Sequence, residues 1–157
     1  MWTLYSLGIH VYAFLVFVAS FFNAKAKKRF VGQRQTFKYL KSNVDKNAKY
    51  VWFHAASLGE FEQARPLMEE LRRRKPEYKI LLTFFSPSGY EIRKDFAAAD
   101  WVFYLPADTP RNVRRFLDIV RPEMAIFVKY DYWLNYLGEL RRRKIRSYIF
   151  SSLFRRN

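Results

Sequence analysis

The sequence predicts an α/β protein with a Rossmann-like parallel sheet of about five strands and helices on both faces. From residue 50 onward, short apolar runs rich in β-branched and aromatic residues alternate with segments of helical spacing. Strands separated by helices form right-handed βαβ units, which make the sheet parallel. The length of 157 residues accommodates one such domain with an appendage, but not two domains of ordinary size.

The amino-terminal appendage is apolar. Residues 1–24 contain no Asp, Glu, Lys or Arg, and a helix over residues 2–22 would be roughly 30 Å long, about the thickness of the hydrocarbon core of a bilayer. Basic residues follow this stretch, as in a membrane anchor whose attached domain stays in the cytoplasm. We therefore predict a membrane-anchor helix at residues 1–24. The alternative is an apolar helix that lies in the membrane interface or packs on the domain.

A basic segment comes next. The net charge of the chain is +15, and residues 25–49 contribute nine basic residues against one acid, Asp45. A basic collar beside an apolar segment is typical of contact with an anionic membrane surface. Residues 25–49 are therefore predicted to form a juxtamembrane neck, either as a second surface helix or as a solvated connector. Nucleic-acid binding is a rival hypothesis, but the uneven distribution of the charge favours the membrane.

The folded domain is predicted at residues 50–157, with strands and helices in alternation. The helical segments place one apolar face inward through i, i+3 and i+4 spacing, as Phe61, Ala64 and Met68 do in the first of them. Strands are predicted at 50–55, 79–85, 101–105, 124–129 and 145–151, and helices at 60–74, 89–96, 111–121 and 132–143.

The predicted sheet places a site at one of its edges. With the common strand order 3-2-1-4-5, the first and fourth strands are neighbours at the switch point, and ligands bind beyond their carboxyl ends. Those ends are residues 55–60 and 129–131, and the loops at residues 86–89 and 106–110 border the same rim. Helix amino-termini at this edge favour anionic ligands. The residues predicted to bind substrate are Ser57, Gly59, Ser86, Ser88, Gly89, Lys129 and Asp131.

Several rim residues also have a structural interpretation as helix caps. Residues 57–60 have the spacing of a capping box, in which Ser57 begins a helix and Glu60 bonds back to its N–H. Residues 88–91 repeat this spacing. Residues 108–109 precede a proline at position 110, which suits the first position of a helix. Spacing alone favours the cap over catalysis for Glu60.

Metal and cofactor chemistry is not predicted. The chain has no Cys, and its two histidines, His10 and His54, lie far apart in the sequence, which argues against a multi-histidine centre. No glycine-rich phosphate-loop pattern is present. His54, at the end of a strand, is more typical of a buried imidazole with satisfied hydrogen bonds than of a base. Lys129 could pair with Asp131 or contact a ligand.

An ordered set of motifs is more specific than any one of them. After the apolar and basic segments come His-x-x-Ser-x-Gly-Glu at residues 54–60, Thr83 with Ser-Pro-Ser-Gly at 86–89, Leu-Pro at 105–106 with Asp108 and Pro110, and Asp-Tyr-Trp at 131–133. In this order the chain resembles the amino-terminal half of the 3-deoxy-D-manno-octulosonic acid (Kdo) transferases of lipopolysaccharide assembly. The resemblance implies a two-domain glycosyltransferase of the GT-B type with Glu60 as the catalytic base.

The resemblance also implies substrates and a location. Kdo would move from CMP-Kdo to a lipid A precursor at the cytoplasmic face of the cell inner membrane, without a metal or other cofactor. This half would hold the lipid A precursor, and a carboxy-terminal half that this chain lacks would hold most of CMP-Kdo. We therefore expect the 157-residue chain alone to be inactive. The anionic membrane surface is the remaining expected partner, and nucleic acid is not expected.

One motif departs from the family pattern. Where the family commonly has Glu-Thr-Glu, this chain has Lys129, Tyr130 and Asp131, so a cation replaces the first acid and a shorter acid replaces the second. A lysine here could contact an acceptor phosphate or the sugar carboxylate. The rival hypotheses are a noncatalytic membrane-anchored α/β binding domain and a different membrane-surface glycosyltransferase.

Overall fold

The computed structural model describes residues 2–129 and 131–150 of the chain. Within them, two helices precede an alternation of five strands and four helices, which confirms the predicted alternation with boundaries shifted by no more than three residues. Residue 151 of the last predicted strand and the end of the predicted domain, to 157, lie outside the described residues. The helices are α1 (Trp2–Ala19), α2 (Ala24–Asn43), α3 (Leu58–Arg74), α4 (Pro87–Arg93), α5 (Pro110–Val120) and α6 (Leu134–Arg142). The strands are β1 (Lys49–Ala55), β2 (Tyr78–Phe84), β3 (Trp101–Tyr104), β4 (Met124–Val128) and β5 (Arg146–Phe150).

The five strands form one parallel sheet in the order β3-β2-β1-β4-β5, as predicted. The central strand β1 is buried at every residue after Lys49, because a parallel sheet is covered on both faces. Near the carboxyl end of β1, His54 lies opposite Thr83 on β2 and opposite Phe127 on β4. The switch point between β1 and β4 therefore lies next to His54.

Helices pack on both faces of the sheet. α2, α5 and α6 cover one face, and α3 and α4 cover the other. On the first face, the Trp52 ring lies 4.9 Å from the ring of Phe116 and 5.3 Å from that of Tyr136, measured between centroids. On the second face, the rings of Phe61 and Phe84 are 5.7 Å apart. The predicted fold class, a sheet with helices on both faces, is confirmed for the described residues.

The segment predicted as a juxtamembrane neck, residues 25–49, is largely helix α2 and packs as part of the domain. α2 and its C-cap bury Phe37, Leu40 and Val44 in the same core cluster as β1, α5 and α6. These apolar residues recur at near-helical spacing, so one face of a basic helix enters the core while its lysines stay exposed. α2 therefore contributes to the same hydrophobic core as the segment that follows residue 50.

The apolar amino-terminal segment is helix α1, which ends at Ala19. Across residues 2–129 and 131–150, no helix combines the length and hydropathy needed to cross a membrane, so the predicted membrane-anchor helix at residues 1–24 is not confirmed. Tyr5 donates a hydrogen bond to Asp108 Oδ2 at 2.6 Å, and Ser6 donates one to Asn135 Oδ1 at 3.1 Å. The polar residues of α1 thus attach it to the domain, which corresponds to the alternative of a helix packed on the fold.

The helix starts follow local chemistry, with one correction. α5 begins at Pro110, and the Thr109 side chain accepts a hydrogen bond from an N–H of its first turn, as predicted. α4 begins earlier than the spacing of residues 88–91 predicts. Its N-cap is Ser86, which accepts the N–H of Ser88 at 3.3 Å. The reason is Pro87, whose fixed φ suits the first helical position.

Candidate functional site

The candidate site lies at the carboxyl edge of the sheet, where β1 and β4 end side by side. The Ser86 N–H donates to the Ala56 carbonyl at 2.8 Å, which fixes the loop after β2 against the loop after β1. The Leu105 N–H donates to the Phe84 carbonyl at 2.8 Å and holds the loop after β3 beside them. The loops that the sequence placed on one rim are therefore adjacent in the structure.

His54 lies beneath this rim at the end of β1. Its side chain is fully buried, and burial lowers the pKa of His54 to about 3, so the imidazole is neutral. Nε2 accepts a hydrogen bond from Trp133 Nε1 at 3.2 Å, which leaves the ring proton on Nδ1. Nδ1 can then donate to Thr83, whose carbonyl and hydroxyl oxygens lie at 3.1 and 3.0 Å. The interpretation of His54 as a buried imidazole with satisfied hydrogen bonds is confirmed.

Glu60 lies in the first turn of α3, half-buried at the rim. The Ser57 hydroxyl donates a hydrogen bond to Glu60 Oε2. Ser57 is the N-cap of α3, as the capping-box spacing predicts, but its side chain accepts no backbone N–H. The pair therefore does not form the predicted capping box, and the carboxylate remains partly open to solvent, oriented by one hydroxyl.

Asp131 follows β4 and is close enough to Glu60 for their charges to interact. Burial, and to a smaller extent the charge of Glu60, raises the pKa of Asp131 to about 6. Asp131 Oδ2 is buried, has no hydrogen-bond partner and lies 3.5 Å from His54 Nε2. An ion pair across this distance would require a protonated His54, which its lowered pKa excludes at neutral pH. The rim thus holds two carboxylates, one of which has an unused acceptor oxygen.

Lys129 closes β4 with a left-handed backbone, at φ 59°. Its N–H donates to the Phe150 carbonyl at 2.7 Å, which attaches Lys129 to the end of β5. Asp131 contacts His54, and the pairing of Lys129 with Asp131 that the sequence allowed does not occur in the described part of the chain. Tyr130, between them, lies outside the described residues.

The predicted substrate-binding residues at the starts of α3 and α4 differ in their surroundings. The hydroxyls of Ser86 and Ser88 are 3.0 Å apart, and Ser88 is exposed. Gly59 is exposed, and a Cβ added to it would have ordinary space. Gly89 is buried, and an added Cβ would lie 2.3 Å from the Phe84 ring. Ser86, Ser88 and Gly59 are accessible to a ligand at the rim. Gly89, in contrast, permits the close packing of α4 on β2.

Two residues at the edge of the site have roles that the sequence did not reveal. Asp108 is buried, and its carboxylate accepts the N–H groups of Asn135 and Tyr136 at 3.2 and 3.0 Å, so it caps α6 rather than α5. Burial raises the pKa of Asp108 to about 6. Trp133 reaches His54 across 79 positions of sequence. The Asp-Tyr-Trp motif signalled Trp133, but nothing local indicated its partner.

The described residues were also compared with the ligand sets of metal sites. In the part of the chain that the structure describes, no group of three or more His, Cys, Asp or Glu side chains could hold a metal ion.

Comparison with known proteins identifies the family. A family profile described as 3-Deoxy-D-manno-octulosonic-acid transferase (kdotransferase) matches residues 26–157. The chain is similar to a 3-deoxy-D-manno-octulosonic acid transferase of Haemophilus influenzae, with 34% identity over 96 residues, which cover 60% of this chain and 22% of that protein. The protein of the same name from Aquifex aeolicus is 41% identical over 92 residues, covering 56% of this chain and 25% of the relative. The protein of the same name from Chlamydophila psittaci is 29% identical over 123 residues, which cover 73% of this chain and 28% of the relative.

The extent of these matches defines what they establish. The chain spans about a quarter of the length of the curated relatives that it matches. The profile match begins in α2 and includes α3, which carries Glu60, and the loop after β4, which carries Asp131. Because this continuous match covers well over half of its residues, the chain belongs to the 3-deoxy-D-manno-octulosonic acid transferase family.

Proposed function

We propose that this chain is the acceptor-binding half of a GT-B glycosyltransferase that moves Kdo from CMP-Kdo to a lipid A precursor. The observation that carries the proposal is that Glu60 and Asp131 lie near the switch point between β1 and β4, close enough for the charge of Glu60 to help raise the pKa of Asp131, in a chain of this family. The switch point of a parallel sheet is where substrates bind in α/β proteins. A partly open carboxylate at this point suits a general base.

In the proposed reaction Glu60 is that base. A hydroxyl oxygen of the acceptor attacks the anomeric carbon of Kdo and forms the new C–O bond, while the bond from that carbon to the phosphate oxygen of CMP breaks. The electron pair leaves with CMP, and the hydroxyl proton passes to the Glu60 carboxylate. Ser57 donates to Glu60 Oε2, which orients the carboxylate and leaves Oε1 to the acceptor. A base positioned in this way contributes about 10²–10⁴-fold to the rate.

Asp131 is proposed to bind the acceptor sugar rather than to accept its proton. Its buried Oδ2 has no partner, and a second acceptor hydroxyl would satisfy it. Lys129 is proposed to contact a phosphate of the acceptor or the carboxylate of Kdo, since it forms no salt bridge within the described residues. The other residues proposed to border the acceptor are Ser57, Gly59, Ser86 and Ser88.

We place the reaction at the cytoplasmic face of the inner membrane, with α1 lying on the membrane surface. α1 and the turn after it expose large apolar side chains, which a bilayer interface would cover. Lysines at the start of α2, at positions 25, 27 and 28, stand next to them and would meet anionic headgroups. The exposed apolar residues include Leu4, Leu7, Val11, Phe14, Leu15, Phe21 and Phe22. A lipid acceptor resides at the same surface.

The test is a transfer assay with a full-length protein that contains this chain. We expect CMP release and a Kdo-bearing lipid when CMP-Kdo and a lipid A precursor are supplied, and no product from the 157-residue chain alone. Transfer from another nucleotide sugar but not from CMP-Kdo would identify a different glycosyltransferase. Binding of the acceptor without transfer from any donor would favour a noncatalytic binding domain.

A further inference from the structure

A groove of about 320 Å³ lies between α1, α2 and the carboxyl edge of the sheet. Its walls are largely apolar, with Ile9 and Val16 from α1, Phe30 from α2, and Phe85 and Trp133 from the loops after β2 and β4. The reaction proposed above uses none of these residues directly. The groove nevertheless adjoins the rim, because the loops after β2 and β4 form part of both.

Arg29 is the unusual residue of this groove. Only 9% of its surface is exposed, and its guanidinium carbon lies 3.5 Å from the centroid of the Phe85 ring. Nη1 donates to the Tyr12 hydroxyl at 2.7 Å, but the buried Nε has no hydrogen-bond partner. No carboxylate within the described residues pairs with this cation. Burying an unpaired charge is unfavourable, and a bound anion would remove that cost.

The other charges of the groove also favour an anion. Arg34 and Arg115 line it, each stacked over a ring of α2, and neither has a carboxylate partner in the part of the chain that the structure describes. Asp108 is the acidic residue that lines the groove, and its carboxylate already accepts hydrogen bonds from Tyr5 and from two N–H groups of α6. The groove therefore combines an excess of guanidinium groups with apolar walls, as an anionic amphiphile requires.

A chain of ring contacts connects Arg29 to the carboxylate rim. The Phe85 ring that lies over Arg29 is 4.8 Å from the Trp133 ring, and Trp133 donates to His54, which lies 3.5 Å from Asp131. A ligand whose anionic group binds Arg29 would thus be separated from Asp131 by the side chains of Phe85, Trp133 and His54. Its apolar chain would extend between α1 and α2.

We propose that Arg29 binds a phosphate group of the amphipathic acceptor and that the groove between α1 and α2 holds an acyl chain of the same molecule. A guanidinium suits this role because its planar donors match phosphate oxygens. The proposal rests on the proposed function for the identity of the acceptor, but the binding itself can be measured without transfer.

The binding test uses the 157-residue chain and three probes: dodecyl phosphate below its micelle concentration, dodecyl glucoside and inorganic phosphate. Calorimetry should show that dodecyl phosphate binds at least about tenfold more tightly than either other probe, because only it supplies both the anion and the chain. Equal affinity for inorganic phosphate would contradict a lipid ligand. Equal affinity for the glucoside would contradict a phosphate site.

Matched variants locate the site. Arg29→Gln should weaken dodecyl phosphate about ten- to hundredfold, as expected for the loss of charge-assisted hydrogen bonds, and should leave dodecyl glucoside unchanged. Arg29→Lys keeps the charge but loses the planar guanidinium. Its affinity for dodecyl phosphate should therefore lie between those of the wild type and Arg29→Gln. Arg73→Gln is the control, since Arg73 is exposed on the opposite face of the sheet and pairs with Glu70. An equal loss in both glutamine variants would overturn the assignment.

A second readout does not depend on how the variants fold. In the wild-type chain, the NMR signal of the Arg29 Nε–H should move downfield when dodecyl phosphate is added and stay in place with dodecyl glucoside, because Nε gains its missing acceptor. An unmoved signal at saturation would overturn the site.

The proposed Arg29 site and the proposed transferase function can be refuted independently of each other. Arg29-dependent binding of dodecyl phosphate, with no Kdo transfer by the full-length protein, would refute the function and support the site. Kdo transfer by full-length Arg29→Gln with wild-type KM for the phosphorylated acceptor would refute the site and support the function. If both hold, that variant raises KM for the acceptor about tenfold or more and leaves KM for CMP-Kdo unchanged.

Discussion

Replacing Asp131 by asparagine should stabilise the folded chain at alkaline pH. The pKa of Asp131 is raised from its ordinary 3.8 to about 6, mainly by burial. Each unit of pKa difference corresponds to roughly 1.36 kcal/mol, so the ionised side chain costs folding roughly 3 kcal/mol when it is fully charged. Asparagine removes that charge, but its buried amide is imperfectly hydrogen-bonded. This lowers the folding stability by roughly 1–2 kcal/mol. We therefore expect Asp131→Asn to gain about 1–2 kcal/mol at pH 8.

The gain has a defined pH dependence. Because the folded pKa of Asp131 lies above the unfolded value, the cost is fully present above pH 6, falls as the pH drops from about 6 toward 3.8, and vanishes below it. His54, with a pKa lowered to about 3, destabilises both proteins alike as the pH falls below 6.5. The difference between the two proteins therefore isolates Asp131.

Urea unfolding followed by circular dichroism at pH 8, 6.5 and 5 measures this difference. Asp118→Asn is the control, because Asp118 is exposed and pairs with Arg143, and we expect it to change stability by no more than about 0.5 kcal/mol at any of these pH values. An Asp131→Asn variant that is no more stable than wild type at pH 8, or whose advantage does not shrink at pH 5, would refute the reasoning. In the full-length protein the same change should lower transfer, since a stabilising change at a substrate site tends to cost activity.

Two further predictions concern packing around the site. Gly89→Ala should destabilise the chain by about 1–3 kcal/mol, because its Cβ would meet the Phe84 ring at 2.3 Å, whereas Gly59→Ala, in open space on α3, should be neutral or stabilise by up to about 1 kcal/mol. Equal effects on the urea midpoint would contradict this account of the two glycines. Leu40→Ala should cost about 2–5 kcal/mol if α2 belongs to the core, against about 0.5 kcal/mol for the exposed Lys38→Ala. A small loss for Leu40→Ala would restore the interpretation of residues 25–49 as a connector.

The sheet was predictable because its signals are local and strong. Buried strands such as β1 are continuous apolar runs, and α3 repeats Phe61, Ala64 and Met68 on one face. Once strands alternate with helices, the handedness of βαβ units leaves few strand orders. The start of α4 was mispredicted by two residues because Pro87 at the first helical position outweighs the spacing of residues 88–91.

The two amino-terminal helices were harder to predict because tertiary contacts decide their position. In α1 the hydroxyls of Tyr5 and Ser6 lie within a largely apolar stretch, and they donate hydrogen bonds to Asp108 and Asn135. In α2 a few apolar residues among many lysines gave no clear sign of burial. Nothing in the local sequence indicates which strand or helix such residues will contact.

The same limit applied to the site. The rim residues could be predicted from the ends of strands, and the ordered motifs singled out Glu60. Other features depend on residues that come into contact only in the folded chain. They are the hydrogen bond from Trp133 to His54 and the burial of Arg29 with its Nε unsatisfied. Partners so far apart in sequence leave no periodic or compositional signal.

The role of Glu60 as general base is tested most directly by Glu60→Gln in a full-length protein that contains this chain, with kcat and the free energy of unfolding measured on the same preparation. Glu62→Gln, on the same helix and paired with Arg93, is the control. We predict that kcat for Kdo transfer falls by about 10²–10⁴-fold in Glu60→Gln, with stability changed by no more than about 2 kcal/mol. Transfer that continues near the wild-type rate, with a loss of stability the size of a helix cap, would contradict it.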